Sequence, residues 1–211
     1  MEKTDAILRR IKLDAEKRFI SAKDGLLCLY PSDEYRGVDN QNGILFLTYW
    51  YFLLEDHGIL HPAEKDLWIR AVEKLRVVPG LFARSPEDRS NSSHDNDKAI
   101  AAGSILCDSP NFAEELVTYG LKTGYSYDIE NPGKVNYRWW RWGGDVAFFK
   151  LATKTMNPSP WELLWLYGAL VWGAFLNKRG DTTGHLLDWL LLKAIRKLPP
   201  RQILSPIISG S

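Results

Sequence analysis

The chain has 211 residues, 45% of them hydrophobic and 25% charged. That composition excludes a disordered or fibrous protein and is sufficient for one domain with a sizeable core. The net charge is only +1, so no global field attracts nucleic acid or an anionic membrane, and we predict neither as a partner.

Two further features bear on the environment of the chain. Cys28 and Cys107 stand alone in apolar surroundings, which predicts buried free thiols rather than a disulfide framework. The first five residues carry charges where a signal peptide has an apolar segment, which predicts cytoplasmic synthesis. The longest apolar run, at 43–54, is shorter than the roughly 20 residues that a membrane-spanning helix needs.

Hydrophobic spacing and capping residues predict about eight helices and no strand-rich region. Gly25 to Tyr30 is too short for a helix and is taken as an extended segment, and the apolar pair Leu81-Phe82 is expected to anchor the chain between two helices. Small residues in the fourth helix predict close backbone approach. The predicted helices cover 4–20, 44–54, 62–75, 97–107, 111–121, 145–152, 160–176 and 182–198.

Two of these helices are apolar on every side, over 44–54 and 163–176, which is typical of helices buried inside a larger array. A simple four-helix bundle does not need two such helices. We therefore predict an all-α fold of packed helical hairpins, either a partial (α/α) toroid or an orthogonal helix array. Residues 1–200 are predicted to form one domain, followed by a tail at 201–211.

The polar loop from Arg84 to Asp97 holds the most chemistry in the chain, because it places a histidine and several carboxylates between two helices. We predict a cleft in which Asp95 and Asp97 are candidate catalytic residues. The candidate binding residues are Arg84 and His94 on this loop, with an aromatic second wall of Tyr137, Trp139, Trp140 and Trp142.

Two other interpretations of these residues remain open. An aspartate at a helix start is commonly a cap, and in this interpretation Asp95 or Asp97 accepts hydrogen bonds from unpaired backbone N–H groups and interacts with the helix dipole. The arginines Arg138 and Arg141 alternate with tryptophans, as in surfaces that stack single-stranded nucleic acid, but the near-zero net charge favours tryptophans packed in the core.

The His94-Asp95 pair in a helical protein of this size resembles the HD-domain phosphohydrolases. That resemblance implies a metal site in which His57 or His61 supplies the first ligand and Asp145 the last. Imidazole and carboxylate groups together suit divalent cations. No metal or cofactor is included in the leading prediction.

The order of segments from Asn42-Gly43 to Trp142 also resembles the (α/α)-toroid proteins of the six-hairpin glycosidase kind, including uncharacterised phage-encoded proteins. Because 211 residues are too few for six hairpins, a partial toroid is implied. In glycosidases two carboxylates flank the scissile bond and aromatic rings stack on the sugar. The available carboxylates are Asp95, Asp97, Glu55 and Asp145.

Three functional hypotheses follow from these residues and resemblances. The first is a structural or interaction protein, associated with a phage virion, that buries its apolar surplus against a protein partner or in a homo-oligomer. The second is a hydrolase acting on glycan with Asp95 or Asp97 as acid or base. The third is an HD-like metal-dependent phosphohydrolase.

Overall fold

The computed structural model describes residues 2–28, 42–87, 89, 92–124, 142–176 and 182–199, with the backbone alone at 2–5, 142–143, 172–176 and 182–188. Eight helices lie within these residues and confirm the all-α prediction. They are α1 (Glu2–Phe19), α2 (Gly43–Asp56), α3 (Pro62–Leu75), α4 (His94–Leu106), α5 (Asn111–Thr123), α6 (Trp142–Thr153), α7 (Pro160–Leu176) and α8 (Thr182–Lys197).

A short antiparallel hairpin interrupts the helices, and the sequence analysis did not predict it. Its strands are β1 (Arg76–Val78) and β2 (Leu81–Phe82), joined by Pro79-Gly80. Gly80 has φ of +83°, and a Cβ there would lie 2.2 Å from the Glu115 carbonyl oxygen of α5. Only glycine satisfies both conditions, so the turn is held directly against α5.

The starts of α2, α4 and α6 are joined by polar contacts. Arg84, in the segment after β2, donates to the Asn42 side chain at 3.4 Å, immediately before α2. Asn96 of α4 donates to the Arg84 carbonyl at 3.1 Å. The Lys98 ammonium of α4 lies 3.4 Å from the Asp145 carboxylate of α6. The N-terminal ends of these three helices therefore lie together.

Ion pairs also join helices at their C-terminal ends, α4 with α6 and α2 with α8. Lys154 after α6 pairs with Asp108 after α4. Near the end of α8, Lys197 pairs with Glu55 of α2 at 2.9 Å, and Lys193 pairs with the adjacent Asp56. Joined at both ends, α4 and α6 run in the same general direction. Whether the helices form a partial toroid or an orthogonal array stays a prediction.

Helix α4 is the central element, packed against α2, α3, α5, α6 and α8. Its small residues make this possible: a Cβ at Gly103 would fall 2.0 Å from the Trp68 ring of α3. The Trp68 indole N–H donates to the Thr48 hydroxyl of α2 at 2.8 Å, so the buried ring has a polar partner. The prediction of close backbone approach along this helix is confirmed.

The two helices predicted to be buried differ in their surroundings. Helix α2 is largely buried, as expected for its composition. Helix α7 is not: Leu163, Leu166 and Leu170 are buried, whereas its other side is exposed over 161–171, where the side chains are described. The prediction of a fully buried helix was therefore wrong over 163–171, because an apolar helix can pack on one side alone.

Candidate functional site

The predicted polar site lies at the start of α4, three residues earlier than the sequence indicated. Helix α4 begins at His94, so His94, Asp95 and Asp97 all lie in its first turn. The residue preceding the helix is Ser93, whose carbonyl accepts the Asp97 backbone N–H at 3.0 Å. Neither aspartate occupies the N-cap position, although both lie in the first turn, where a negative charge interacts favourably with the helix dipole.

Asp97 lies fully inside the protein beside two other ionisable groups. Burial raises the pKa of its carboxyl well above the usual value, and the nearby Asp145 carboxylate raises it further, while the Lys98 ammonium lowers it. Burial disfavours the charged form, and a second carboxylate does the same. Asp97 therefore keeps its proton over a wider pH range than an exposed aspartate, while Lys98 pairs with Asp145.

His94 is also buried, and its pKa is lowered to about 3 by that burial and by the Lys98 ammonium. The imidazole is therefore neutral at pH 7, which is the form that binds metals. Within the part of the chain that the structure describes, however, no group of three or more His, Cys, Asp or Glu residues comes together to hold a metal ion. His61, a candidate first ligand, instead caps α3.

Arg84 links the polar site to α2, and its guanidinium is only partly buried. Its Nε atom has no hydrogen-bond partner among the described residues. The carboxylates considered for glycan chemistry divide into two groups. Asp145 joins Asp97 at the N-terminal ends of the helices, whereas Glu55 pairs with Lys197 at the opposite ends.

The predicted aromatic wall stays a prediction. Tyr137, Trp139 and Trp140 lie outside the described residues, as do Arg138 and Arg141. Trp142 begins α6, but only its backbone is described. The site is therefore defined by the α4 and α6 residues and by Arg84.

The outer side of α7 presents large apolar side chains to solvent. Trp161 is 73% exposed, Leu164 61%, Trp165 54% and Val171 71%. With Gly168 between them, these residues follow a spacing of three, one, three and three positions, which places them on one side of a helix. We call this surface, formed by Trp161, Leu164, Trp165, Gly168 and Val171, the α7 apolar face.

The α7 apolar face carries no charge. The one acidic or basic residue of α7 is Glu162, and its carboxylate already binds the Lys150 ammonium at 2.8 and 3.1 Å. Glu162 also accepts the Ser159 backbone N–H, while its own N–H donates to the Ser159 hydroxyl. This is the predicted capping box, and it directs the only charge of the helix away from the face.

The sequence contained a signal for this face that the prediction did not use. Leu163, Leu166 and Leu170 repeat every three to four residues, as in a helix that buries one side. The residues between them are also apolar, so the repeat of the three leucines does not stand out from its neighbours. Among the described residues, no helix is long and apolar enough to span a membrane.

A second polar cluster joins α1 to α3, and sequence reasoning did not find it. Glu16 lies beside Glu64, which binds the Lys12 ammonium and accepts the His61 backbone N–H at 2.6 Å. Burial and the neighbouring Glu64 carboxylate raise the pKa of Glu16 to about 7. A cavity of about 470 Å³ opens beside this pair and is lined also by Tyr51.

Comparison of the chain with protein-family models, curated proteins and solved structures finds no match.

Proposed function

We propose that this chain is a structural or interaction protein whose contact surface is the α7 apolar face. The observation that carries the proposal is the exposure of Trp161, Leu164, Trp165 and Val171 together on one side of α7. Contiguous apolar patches of a few hundred Å² on a folded protein usually mark interaction sites, and tryptophan is enriched in the centres of such sites.

The burial of the predicted polar site also supports a non-enzymatic role. His94 and Asp97 are more than nine-tenths buried, and Lys98 and Asp145 pair inside the same cluster. Such a network orients α4 against α6, whereas a substrate needs access to the reacting groups. Association with a phage virion is part of the proposal and rests on the resemblance to phage-encoded toroid proteins.

Site-specific photo-crosslinking tests the proposed contact surface. A benzophenone amino acid replaces Leu164 on the face in one variant and Leu121 of α5 in the control, since both positions are exposed. The two proteins are irradiated in the cells that naturally express the chain. We expect protein crosslinks from position 164 that position 121 does not form. Equal crosslinking at both positions, or none at either, would contradict the proposal.

Glycan hydrolysis is the second candidate, and a specific observation favours it. Burial and the nearby Asp145 carboxylate raise the pKa of Asp97, and Asp145 itself pairs with Lys98 at 3.4 Å. Glycosidases use two carboxyl groups, one of which is protonated through a raised pKa and acts as the acid. Asp95, the other candidate, lies in the same turn of α4 but is less buried.

The assay for this candidate compares the wild type with Asp97→Asn and Asp95→Asn on a panel of soluble polysaccharides, with reducing ends as the readout. Activity that falls at least a hundredfold in Asp97→Asn would establish glycan hydrolysis. If the wild type is no more active than both variants, glycan hydrolysis by these carboxyl groups is excluded. The metal-dependent phosphohydrolase stays a prediction; among the described residues, no group of three or more possible ligands comes together.

A further inference from the structure

We propose that the α7 apolar face binds a second copy of this chain, with the two α7 helices crossing at Gly168 about a two-fold axis. This inference rests on the proposed function, since it names the partner of the same surface. Three observations carry it: the position of a glycine that the fold does not require, the absence of charge, and the size of the face.

Among the described residues, nothing would exclude a side chain at Gly168. It lies within α7 with ordinary helical backbone angles, and a Cβ there would meet nothing within 4 Å. Glycine in an exposed helix interior costs about 1 kcal/mol relative to alanine. Gly168 therefore makes α7 less stable than alanine would, and no contact among the described residues compensates for this loss.

Two other helical glycines show what packing inside the fold looks like. At Gly103, a Cβ would overlap the Trp68 ring of α3 at 2.0 Å. At Gly144 of α6, it would lie 3.2 Å from the Leu166 Cα of α7. These glycines permit close approach of neighbouring helices within the chain. Gly168 provides the same room on the outer side of α7, where a helix from outside the chain would approach.

The surroundings of Gly168 fit a helix that crosses there. Trp161 and Trp165 precede it by two turns and one turn, while Leu164 and Val171 lie beside it on the same side. The two exposed indole rings are much larger than the glycine. The face therefore has a notch at Gly168 next to two large side chains. A second copy related by a two-fold axis would place its own tryptophans beside the notch of the first.

The lack of charge on the face suits a second copy and disfavours a strongly charged partner. In a two-fold interface, residues near the axis meet their own counterparts, so any charge there meets a like charge. The α7 apolar face has no such charge, because Glu162 is engaged by Lys150 away from it. A strongly charged partner would find no complementary group on this surface, whereas the same neutral surface matches itself.

The size of the face is sufficient for a dimer. From the exposed fractions and typical side-chain areas, Trp161, Leu164, Trp165 and Val171 present roughly 500 Å². Tyr167 at the edge of the face is 43% exposed and adds about 100 Å². A standard interface buries about 800 Å² on each partner, so these residues supply most of the area before flanking segments contribute.

Sedimentation velocity of the full chain from about 1 µM to about 100 µM tests the inference. We expect a monomer–dimer equilibrium in the wild type. Gly168→Leu fills the notch from a Cβ position that has nothing within 4 Å, and it should weaken dimerisation at least tenfold. Gly168→Ala should have a smaller effect in the same direction. The control Leu121→Glu introduces a charge at an exposed position of α5 and should leave the dimer unchanged.

A wild type that stays monomeric throughout this range would overturn the inference, as would a dimer that Gly168→Leu leaves intact. If the monomer nevertheless crosslinks to other proteins through position 164, the second copy is wrong as the partner and the proposed contact surface stands. If position 164 gives no protein crosslink and the wild type binds neutral phosphatidylcholine vesicles, both proposals fail, because the face then contacts lipid.

Discussion

The Lys98 ammonium lies 3.4 Å from Oδ1 of the Asp145 carboxylate and links the first turns of α4 and α6 inside the protein. Both side chains are about nine-tenths buried. At the other ends of the same helices, Lys154 pairs with Asp108 in solvent, with the aspartate side chain 78% exposed. The molecule thus contains two bridges between the same helices that differ mainly in burial.

Removing the buried lysine is expected to destabilise the protein strongly. Lys98→Met leaves the Asp145 charge in the interior without this cation, which typically costs about 3 to 5 kcal/mol of unfolding free energy. Urea denaturation followed by circular dichroism measures the loss. The matched control is Lys154→Met at the exposed bridge, with an expected cost below about 1 kcal/mol. Similar losses in both variants would contradict the assigned role of burial.

Acid is expected to destabilise the protein through His94. Its pKa is about 3 in the folded protein and about 6.5 when unfolded, so unfolding takes up a proton between these values. The contribution of the neutral His94 to the free energy of unfolding is complete above pH 6.5 and is lost as the pH falls toward 3. From pH 7 to pH 4 the expected loss is about 3 kcal/mol.

The variant His94→Gln cannot take up this proton, so its unfolding free energy should change less over the same interval. Denaturation of both proteins at pH 7 and at pH 4 gives the two slopes. The comparison is between slopes, so a constant loss from replacing the buried ring does not affect it. Parallel slopes would show that His94 does not titrate on unfolding.

Glu16 is expected to have the opposite dependence on pH. Its folded pKa of about 7 exceeds the ordinary value of 4.5. The contribution of the protonated Glu16 to the free energy of unfolding is therefore complete below pH 4.5 and is lost as the pH rises toward 7. Because Glu16 is only partly buried and solvent screens the interaction, the effect should be about 1 kcal/mol.

Glu16→Gln keeps the shape of the side chain but cannot ionise, so it should be the more stable protein at pH 8. Thermal melts of wild type and variant at pH 5 and pH 8 measure the difference. Glu73→Gln on α3 is the control, since its side chain is 46% exposed and pairs with Arg76. An advantage of Glu16→Gln that is equal at both pH values would exclude the carboxyl pair as its cause.

The two glycines at 103 and 168 are expected to respond to alanine in opposite ways. A methyl group at 103 would overlap the Trp68 ring, so Gly103→Ala should cost at least about 2 kcal/mol. At 168 the methyl group meets open space, so Gly168→Ala should stabilise the monomer by up to about 1 kcal/mol. Denaturation at a concentration low enough to give monomer measures both. Destabilisation by both substitutions would show that α7 packs differently on its outer side.

Helix boundaries could be predicted because local chemistry determines them. Pro62 begins α3, and the Ser159–Glu162 capping box begins α7, as their sequence neighbours indicated. At the end of α5, Gly124 adopts the left-handed conformation that closes many helices. These features depend on residues within four positions of each other, so the sequence alone reveals them.

The candidate site stays a prediction, and its surroundings differ from what the sequence suggested. His94, Asp95 and Asp97 lie in the first turn of α4, where the sequence suggested an open loop up to Asp97. Burial of His94 and Asp97 depends on α6, whose Asp145 is about fifty positions away. The pairing of Glu16 with Glu64 depends in the same way on how α1 packs against α3. Neither arrangement follows from local spacing.

The sequence by itself determined the all-α class, most helix limits and the buried free cysteines, because these follow from short-range periodicity, capping and composition. Only the tertiary structure decided which sides of the apolar helices are covered. Residues 163–176 and 44–54 have nearly the same apolar composition, yet α2 is largely enclosed and α7 has neighbours on one side. The hydrophobicity of a segment determines how favourable its burial would be, but the arrangement of the other helices decides whether that burial occurs.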